Sequence, residues 1–299
     1  MALSGYLRIL CAASLWGLIG PVAKIALAAG MPPLEVAFWR TASGWLFFAL
    51  QALFAGQYRV AGRDMPLVLA FGLFGVAGLF GTYVLAVRDG GAALASVLLY
   101  TAPAWVAVMS RFLFRESMGP AKILALIMTM TGVACVCLGP GAGAEHIGPA
   151  AVFFGLASGL SYALYYIFGK QYLGRYSTPT LFLWAMPVGA LALLPSVTFH
   201  AWPFTVWLAV VTLGFCSTWL AYSIYYSGLR HLEATRAAVV ATMEPVVAAV
   251  LAWIMWDERF SLLGYVGSGL ILAAVLVTMR PARRMPGVET EEVAPADAV

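Results

Sequence analysis

Ten apolar stretches, each close to the length needed to cross a bilayer, alternate with short polar connections along the chain. They cover residues 5–29, 34–55, 65–87, 91–114, 119–138, 147–173, 179–200, 203–230, 234–256 and 261–280. A transmembrane helix needs about 20 consecutive, mostly apolar residues. The pattern therefore predicts an all-α integral membrane protein with ten transmembrane helices. Residues 281–299 are polar and are predicted to form a disordered tail.

The two halves of the chain carry the same residue pattern. Lys24 follows Trp16 by eight residues, and 146 positions later Lys170 follows Tyr162 by eight residues. Further along, the offset between matching residues becomes 142, which pairs Tyr83 with Tyr225, Arg88 with Arg230, Pro103 with Pro245 and Glu116 with Glu258. Residues 1–143 and 144–280 are therefore predicted to be two five-helix repeats, a construction typical of membrane transporters.

The odd number of helices in each repeat predicts that the second half crosses the membrane in the opposite direction to the first. Two such halves are related by a pseudo-two-fold axis in the membrane plane. Their interface is a natural place for a binding site near the bilayer midplane, with a gate on each side. This arrangement favours transport by alternating access between the two sides.

Composition and charge agree with a membrane protein and indicate its orientation. Hydrophobic residues make up 63% of the 299 and charged residues 10%, against roughly 25% in soluble domains. With ten spans, 13 basic residues fall on the side of the two termini, and four fall on or near the other side: Lys24, Arg40, Arg88 and Arg259. The positive-inside rule then predicts cytoplasmic termini in a cell inner (plasma) membrane. The net charge of +4 reflects this topology, and we expect no nucleic-acid partner.

Prolines and one carboxylate stand out inside the predicted spans. Pro103 and Pro245 lie at matching positions in the middle of helices 4 and 9, where proline frees the carbonyl four residues earlier. These prolines form either fixed kinks or flexible gating points. Glu244 precedes Pro245, and a carboxylate inside a membrane span is costly enough to mark a candidate site. It could contact a substrate amine, carry a coupling proton or serve a structural role.

Aromatic and basic residues supply the remaining candidates. Trp16 and Lys24 share one face of helix 1, as Tyr162 and Lys170 do on helix 6. The lysines are either basic groups of the vestibules or anchors that reach the membrane surface. The aromatic residues either line a cavity for amphiphilic substrates or pack in the core. They are Trp16, Tyr83, Tyr100, Trp105, Tyr162 and Tyr222.

Sequence signatures of catalysis are missing from the chain. It has no HExxH, GxSxG or P-loop motif and no paired Cys-x-x-Cys, and its three histidines do not cluster. The four cysteines fall inside predicted spans, where buried inert thiols are the default. We therefore expect no enzyme activity, no catalytic residues, no metal site and no cofactor.

Several of these features together resemble the drug/metabolite transporter superfamily, EamA type. They are the Trp16-Gly17…Lys24 opening, Pro103 and Glu244-Pro245 in matched helices, and the closing Glu116 and Glu258. The resemblance covers residues 6–280. It implies a ten-helix inverted-repeat fold around a central cavity made by helices 1–4 and 6–9, with helices 5 and 10 at the periphery.

Within that family, Tyr83 and Tyr100 look most like the aromatic amino-acid exporter branch. This implies an inner-membrane exporter of aromatic and other neutral amino acids and related metabolites. The alternative is an exporter of cationic drugs or other small metabolites, with Glu244 as the counter-charge. Helix 4 has no acidic partner for Glu244, so no coupling mechanism is carried over. The expected partners are the lipid bilayer and a small-molecule substrate, and the working expectation for the oligomeric state is a monomer.

Overall fold

The computed structural model describes residues 2–137, 148–256 and 261–279, and in this part of the chain the only regular secondary structure is helical. Ten helical rods cross the molecule, and each boundary lies within about five residues of its predicted position. We number them α1 Leu3–Ala28, α2 Pro33–Phe54, α3 Met65–Ala92, α4 Leu94–Leu113, α5 Pro120–Cys137, α6 Pro149–Tyr172, α7 Thr178–Ser196, α8 Phe204–Leu229, α9 Ala234–Met255 and α10 Leu262–Met279. The all-α membrane fold predicted from the sequence is confirmed. The predicted tail and the boundary between the repeats lie outside the described residues.

Nine of these described helices are long and apolar enough to cross a membrane by themselves. The exception is α2, whose 22 residues include the charged residues Glu35 and Arg40. Both of these side chains are buried, Glu35 against the connection between α7 and α8 and Arg40 against α8. Glu35 accepts hydrogen bonds from the Thr198 hydroxyl at 2.7 Å and from Trp202 Nε1 at 2.9 Å. These hydrogen bonds stabilise the buried carboxylate of Glu35, whose charge would be costly in contact with lipid.

Packing between the helices follows the inverted repeat. Helix α3 packs along α6, and the matching pair with the halves exchanged is α8 with α1. Helices α2 and α7 pack on each other, as do the peripheral α5 and α10. The last pair is held close by small residues, because a Cβ atom on Gly132 would lie 2.8 Å from the Gly267 carbonyl oxygen. Each of these packing pairs thus maps onto itself or its counterpart when the halves are swapped.

Irregular segments also repeat at the 142-residue offset. Helices α3 and α8 contain π-helical stretches at Phe71–Ala77 and Leu213–Leu220. Helix α4 is interrupted at Tyr100 and Thr101, and α9 is interrupted at Thr242 and Met243. The wider π-helical turn is frequent at functional sites. Tyr100 at one interruption and Glu244 directly after the other line the cavity described below.

The interruptions determine where the two prolines lie within their helices. Regular helix ends at Leu99 and begins again at Ala102, which places Pro103 in the first turn of a new segment. Pro245 is likewise the second residue of a segment that begins at Glu244. Proline suits a first turn because its missing N–H would have no partner there.

The first and last described helices meet at one face of the molecule. The hydroxyl of Tyr6, near the start of α1, donates a 3.0 Å hydrogen bond to the carbonyl of Thr278 at the end of α10. We call this side the terminal face and the other side the opposite face. Arg236, near the start of α9, also donates to the Thr278 carbonyl, at 2.9 Å. The C-terminal end of α8 and the start of α9 therefore lie at the terminal face as well.

Candidate functional site

A cavity of about 260 Å³ lies between the two halves, close to the small end of the roughly 300–1,000 Å³ typical of ligand pockets. Six of the seven predicted substrate-binding residues line it: Trp16, Tyr83, Tyr100, Tyr162, Tyr222 and Glu244. The seventh, Trp105, is absent from the lining and packs half-buried against the hydrophobic core. Residues from α1–α4 and from α6, α8 and α9 contribute to the walls.

Glu244 reaches the cavity because α9 is interrupted immediately before it. It is the first residue of the second helical segment, and a carboxylate is favoured at a helix N-terminus by the helix dipole. Its Oε2 accepts a 2.8 Å hydrogen bond from the Tyr162 hydroxyl of α6. The hydroxyls of Tyr162 and Tyr100 therefore position the carboxylate, and the residue still lines the cavity.

Six aromatic residues form a large part of the cavity wall. Trp16 makes edge-on contacts with Tyr162 and Tyr222, with ring centroids 6.5 and 5.2 Å apart. The Tyr83 hydroxyl lies 3.1 Å from the hydroxyl of Ser96, which ties α3 to the beginning of α4. The indole Nε1 of Trp16 has no hydrogen-bond partner among the described residues. The wall is apolar with a few hydroxyl and N–H groups, which suits an amphiphilic solute.

A layer of buried rings, the aromatic floor, separates the cavity from the terminal face. Tyr165 stacks on Tyr222 at 5.0 Å, and the Tyr226 hydroxyl donates a 2.9 Å hydrogen bond to the Tyr165 carbonyl. The members of the floor are Tyr165, Tyr166, Phe182, Tyr225 and Tyr226, each at most 3% exposed.

Cavity residues on the other side are more open. Gly20 of α1 is exposed, and a Cβ atom placed there would meet no atom within 4 Å. Tyr83 is only half-buried. Together with the aromatic floor, these exposures indicate that the cavity is closed toward the terminal face and opens toward the opposite face.

Below the floor, four charged residues form the terminal-face charge cluster, which comprises Glu116, Lys122, Glu233 and Arg236. Lys122 Nζ lies 2.9 Å from Glu233 and 3.6 Å from Glu116, and Arg236 Nε lies 2.8 Å from Glu233. Partial burial alone raises the pKa of Glu233, but hydrogen bonds and charge from Lys122 and Arg236 outweigh it, so its pKa lies below the ordinary value. The cluster joins the end of α4 and the start of α5 to the start of α9. Glu258, the sequence match of Glu116, lies outside the described residues.

The two predicted vestibule lysines do not line the cavity. Lys170 Nζ donates to the carbonyls of Leu229 at 3.2 Å and Leu232 at 2.6 Å, so it caps the C-terminal end of α8. Lys24 is half-buried on the second segment of α1. Pro103 and Pro245 also lie outside the lining, each two residues beyond the interruption in its helix.

Sequence reasoning missed one charged cavity residue. Arg40 had been counted among the basic residues near the outer ends of helices, but it is only 8% exposed and lines the cavity. The sequence does carry a signal for it. Arg40 stands alone several residues inside an apolar stretch, and an ionisable residue inside a membrane span indicates a functional site by default. Ser96 and Phe80 of the lining were missed too, and neither stands out from its sequence context.

Metal-binding chemistry has no support in the part of the chain that the structure covers. No group of three or more His, Cys, Asp or Glu side chains lies there in a metal-binding arrangement. Cys11, Cys135, Cys137 and Cys216 are all free thiols.

Comparison with known proteins decides the family. The model of the EamA-like transporter family matches residues 3–138 and again 149–280. The chain belongs to the EamA-like transporter family. As a member of this family it is a multi-pass membrane transporter of the drug/metabolite superfamily and not an enzyme.

Individual relatives cover almost the whole length. An uncharacterized inner membrane transporter, YicL, of Salmonella typhimurium is 25% identical, with 94% of this chain and 96% of the relative covered. A probable amino-acid metabolite efflux pump of Escherichia coli is 27% identical, with 88% of this chain and 91% of the relative covered. A solved crystal structure with a TM-score of 0.79 covers 93% of this chain and 97% of its own at 21% identity, which shows a shared fold.

Proposed function

We propose that this EamA-type transporter exports amino acids, aromatic and other neutral ones, and related metabolites across the cell inner membrane. The observation that carries the proposal is the cavity between the halves, where aromatic rings surround the carboxylate of Glu244. An aromatic wall accepts an apolar side chain, and a carboxylate beside it accepts an ammonium group. The similarity to a probable amino-acid metabolite efflux pump points the same way.

Alternating access between residues 1–143 and 144–280 is the mechanism we propose. The aromatic floor and the terminal-face charge cluster close one side of the cavity while the other side is open. If the positive-inside rule sets the orientation, the terminal face is cytoplasmic and this conformation faces outward. Exchange of the two halves' conformations would open the floor and bring the cavity into contact with the cytoplasm.

Uptake of radiolabelled amino acids into proteoliposomes that contain the full chain, with and without a pH gradient, tests the function. We expect flux of several neutral amino acids that is competed by phenylalanine, tyrosine and tryptophan. Empty liposomes are the control for leakage. A thermal unfolding transition shows that the protein is folded. If the folded protein transports no member of an amino-acid panel, the proposal is overturned.

The second candidate is export of cationic drugs or other cationic metabolites. The location of Glu244 within aromatic walls favours it, since cations interact with both the carboxylate and the ring faces. The same liposomes distinguish the two functions when they are loaded with a lipophilic cation that has no carboxylate. Cation flux without amino-acid flux would favour this second function.

A further inference from the structure

Arg40 lies near the middle of the membrane-spanning part of the molecule and has two anchoring hydrogen bonds. Its Nε donates to Thr218 Oγ1 at 3.0 Å, and its Nη2 donates to the Ser217 carbonyl at 3.2 Å. Both acceptors belong to the π-helical stretch of α8. The guanidinium carbon also lies 5.6 Å from the centroid of the Phe80 ring. These contacts fix the position of the group on the cavity wall.

The anchors leave the guanidinium of Arg40 without an ion pair at contact distance, and the carboxylate that interacts with its charge is Glu244 on the cavity wall. An arginine side chain has five N–H donors, and the two anchors use only two of them. No carboxylate of the described residues lies within ion-pair distance of the guanidinium, and Nη1 has no hydrogen-bond partner there. A buried charge is costly unless it is paired. A partner that enters the cavity from outside would supply the missing ion pair.

Glu244 lines the same cavity with the opposite charge. Its Oε2 accepts from the Tyr162 hydroxyl at 2.8 Å, and the Tyr100 hydroxyl is a second hydrogen-bonding neighbour of the carboxylate. The two charged groups lie on α2 and α9, interact electrostatically without forming an ion pair at contact distance, and are each anchored by hydrogen bonds to their own neighbours. A ligand between them meets a guanidinium on one side, a carboxylate on the other and aromatic rings around both.

We propose that Arg40 binds the substrate carboxylate, so that the transported species are zwitterionic α-amino acids held between Arg40 and Glu244. This inference rests on the proposed amino-acid transport function and names the chemistry of its substrate. The planar guanidinium can pair with a carboxylate through two parallel hydrogen bonds. The ammonium group then faces Glu244, and the side chain packs on the rings of Trp16 and Tyr222.

A series of truncated ligands tests this in the wild-type chain, without any substitution. The inhibition of labelled phenylalanine flux is compared for phenylalanine, phenethylamine, which lacks the carboxylate, and 3-phenylpropionate, which lacks the ammonium group. We expect each truncated ligand to compete at least about tenfold more weakly than phenylalanine, the effect of losing one charged hydrogen-bonded contact. Equal potency of phenethylamine and phenylalanine would overturn the role of Arg40.

Substitution then assigns the effect to Arg40. In Arg40→Gln we expect phenylalanine to bind at least about tenfold more weakly, while phenethylamine changes less than about twofold. Arg40→Lys should recover part of the loss, because lysine keeps the charge but not the planar pair of donors. Arg175→Gln, at the terminal face and away from the cavity, is the matched control and should change neither affinity.

The outcomes separate this inference from the proposed function. If Arg40→Gln weakens phenylalanine and phenethylamine equally, Arg40 only holds α2 against α8 and the inference is wrong. If the wild-type chain transports phenylalanine but Arg40→Gln binds it unchanged, the inference also fails while the function stands. If the wild-type chain carries no amino acid, the function itself fails, and the inference that rests on it falls as well.

Discussion

The carboxylate of Glu116 caps the helix that begins at Ala234, although the two residues belong to different halves of the chain. Glu116 Oε1 accepts a 2.7 Å hydrogen bond from the Ala234 backbone N–H, and Oε2 accepts one from the Thr235 N–H at 3.3 Å. The first N–H groups of a helix have no partner within it, so a buried helix start needs such an acceptor. The end of α4 thereby fixes the start of α9 at the terminal face.

Glu116→Ala should therefore destabilise the closed terminal face. It removes a charged acceptor from two buried donors and leaves Lys122 with one carboxylate fewer. Charge-assisted bonds to a helix N-terminus contribute about 1–3 kcal/mol. We expect the free energy of unfolding in detergent to fall by roughly that amount, together with a lower unfolding midpoint.

The control for this prediction is Arg111→Ala, an exposed position in the last turn of α4. Exposed substitutions away from such contacts usually change stability by less than about 0.5 kcal/mol. Equal stability of Glu116→Ala and Arg111→Ala would mean that the cap does not hold the terminal face together.

Asp64 predicts an acid-dependent loss of stability. Its carboxylate accepts a 2.7 Å hydrogen bond from the Tyr176 hydroxyl, and Arg175 Nη1 lies 3.4 Å away. The hydrogen bond from Tyr176, with the charge of Arg175 as a smaller cause, holds the pKa of Asp64 below its usual value. The stabilisation is therefore complete above the ordinary pKa of about 4 and disappears as the pH falls through the lower folded-state pKa.

The measurement is the difference in unfolding midpoint between the wild-type chain and Asp64→Asn as a function of pH. We expect a constant difference from pH 7 to about pH 5, and a difference that shrinks as the pH is lowered further. A difference that grows in acid would have the opposite sign and would contradict the assignment.

The helix count and most of the cavity could be predicted because both follow from patterns in the sequence, namely the length of the apolar stretches and the internal repeat. Apolar length sets the number of spans, and the repeat marks which positions face the partner half. Trp16 and Tyr162 match at the 146-residue offset, and both line the cavity. Their shared position in the repeat indicated their place at the interface before any contact was known.

The failures have physical causes too. Trp105 is a cavity candidate by sequence, with core packing as the alternative, and it lies in the helical segment that begins at Ala102, half-buried against the core. Arg40 was missed because a count of basic residues treats each one as a flank of a span. Its anchors, Ser217 and Thr218, are more than 170 positions away in sequence, and no local pattern identifies them.

Lys170 is predicted to act on stability and not on substrate recognition. It donates two hydrogen bonds to carbonyls at and just beyond the end of α8, whose acceptors would otherwise be unpaired. Lys170→Met keeps the length of the side chain and removes the donors. We expect a loss of about 1–3 kcal/mol in the free energy of unfolding and an apparent KM for phenylalanine within about twofold of the wild-type value. A raised KM at unchanged stability would return Lys170 to the vestibule role first considered for it.

Glu244→Gln is the counterpart of the Arg40 test at the other charge of the cavity. Glutamine keeps the size of the side chain and the acceptor for Tyr162 but removes the negative charge that faces the substrate ammonium group. Loss of a charged contact corresponds to about 1.5–3 kcal/mol, or at least about tenfold in affinity. We therefore expect phenylalanine and phenethylamine to bind more weakly by that factor in the flux competition, while the binding of 3-phenylpropionate changes less than about twofold.

Tyr162→Phe is the matched control, because it keeps the charge of Glu244 and removes one neutral hydroxyl, which corresponds to about 1 kcal/mol. If Glu244→Gln leaves phenethylamine binding unchanged but abolishes a response of the flux to an imposed pH gradient, Glu244 binds a transported proton and not the amine.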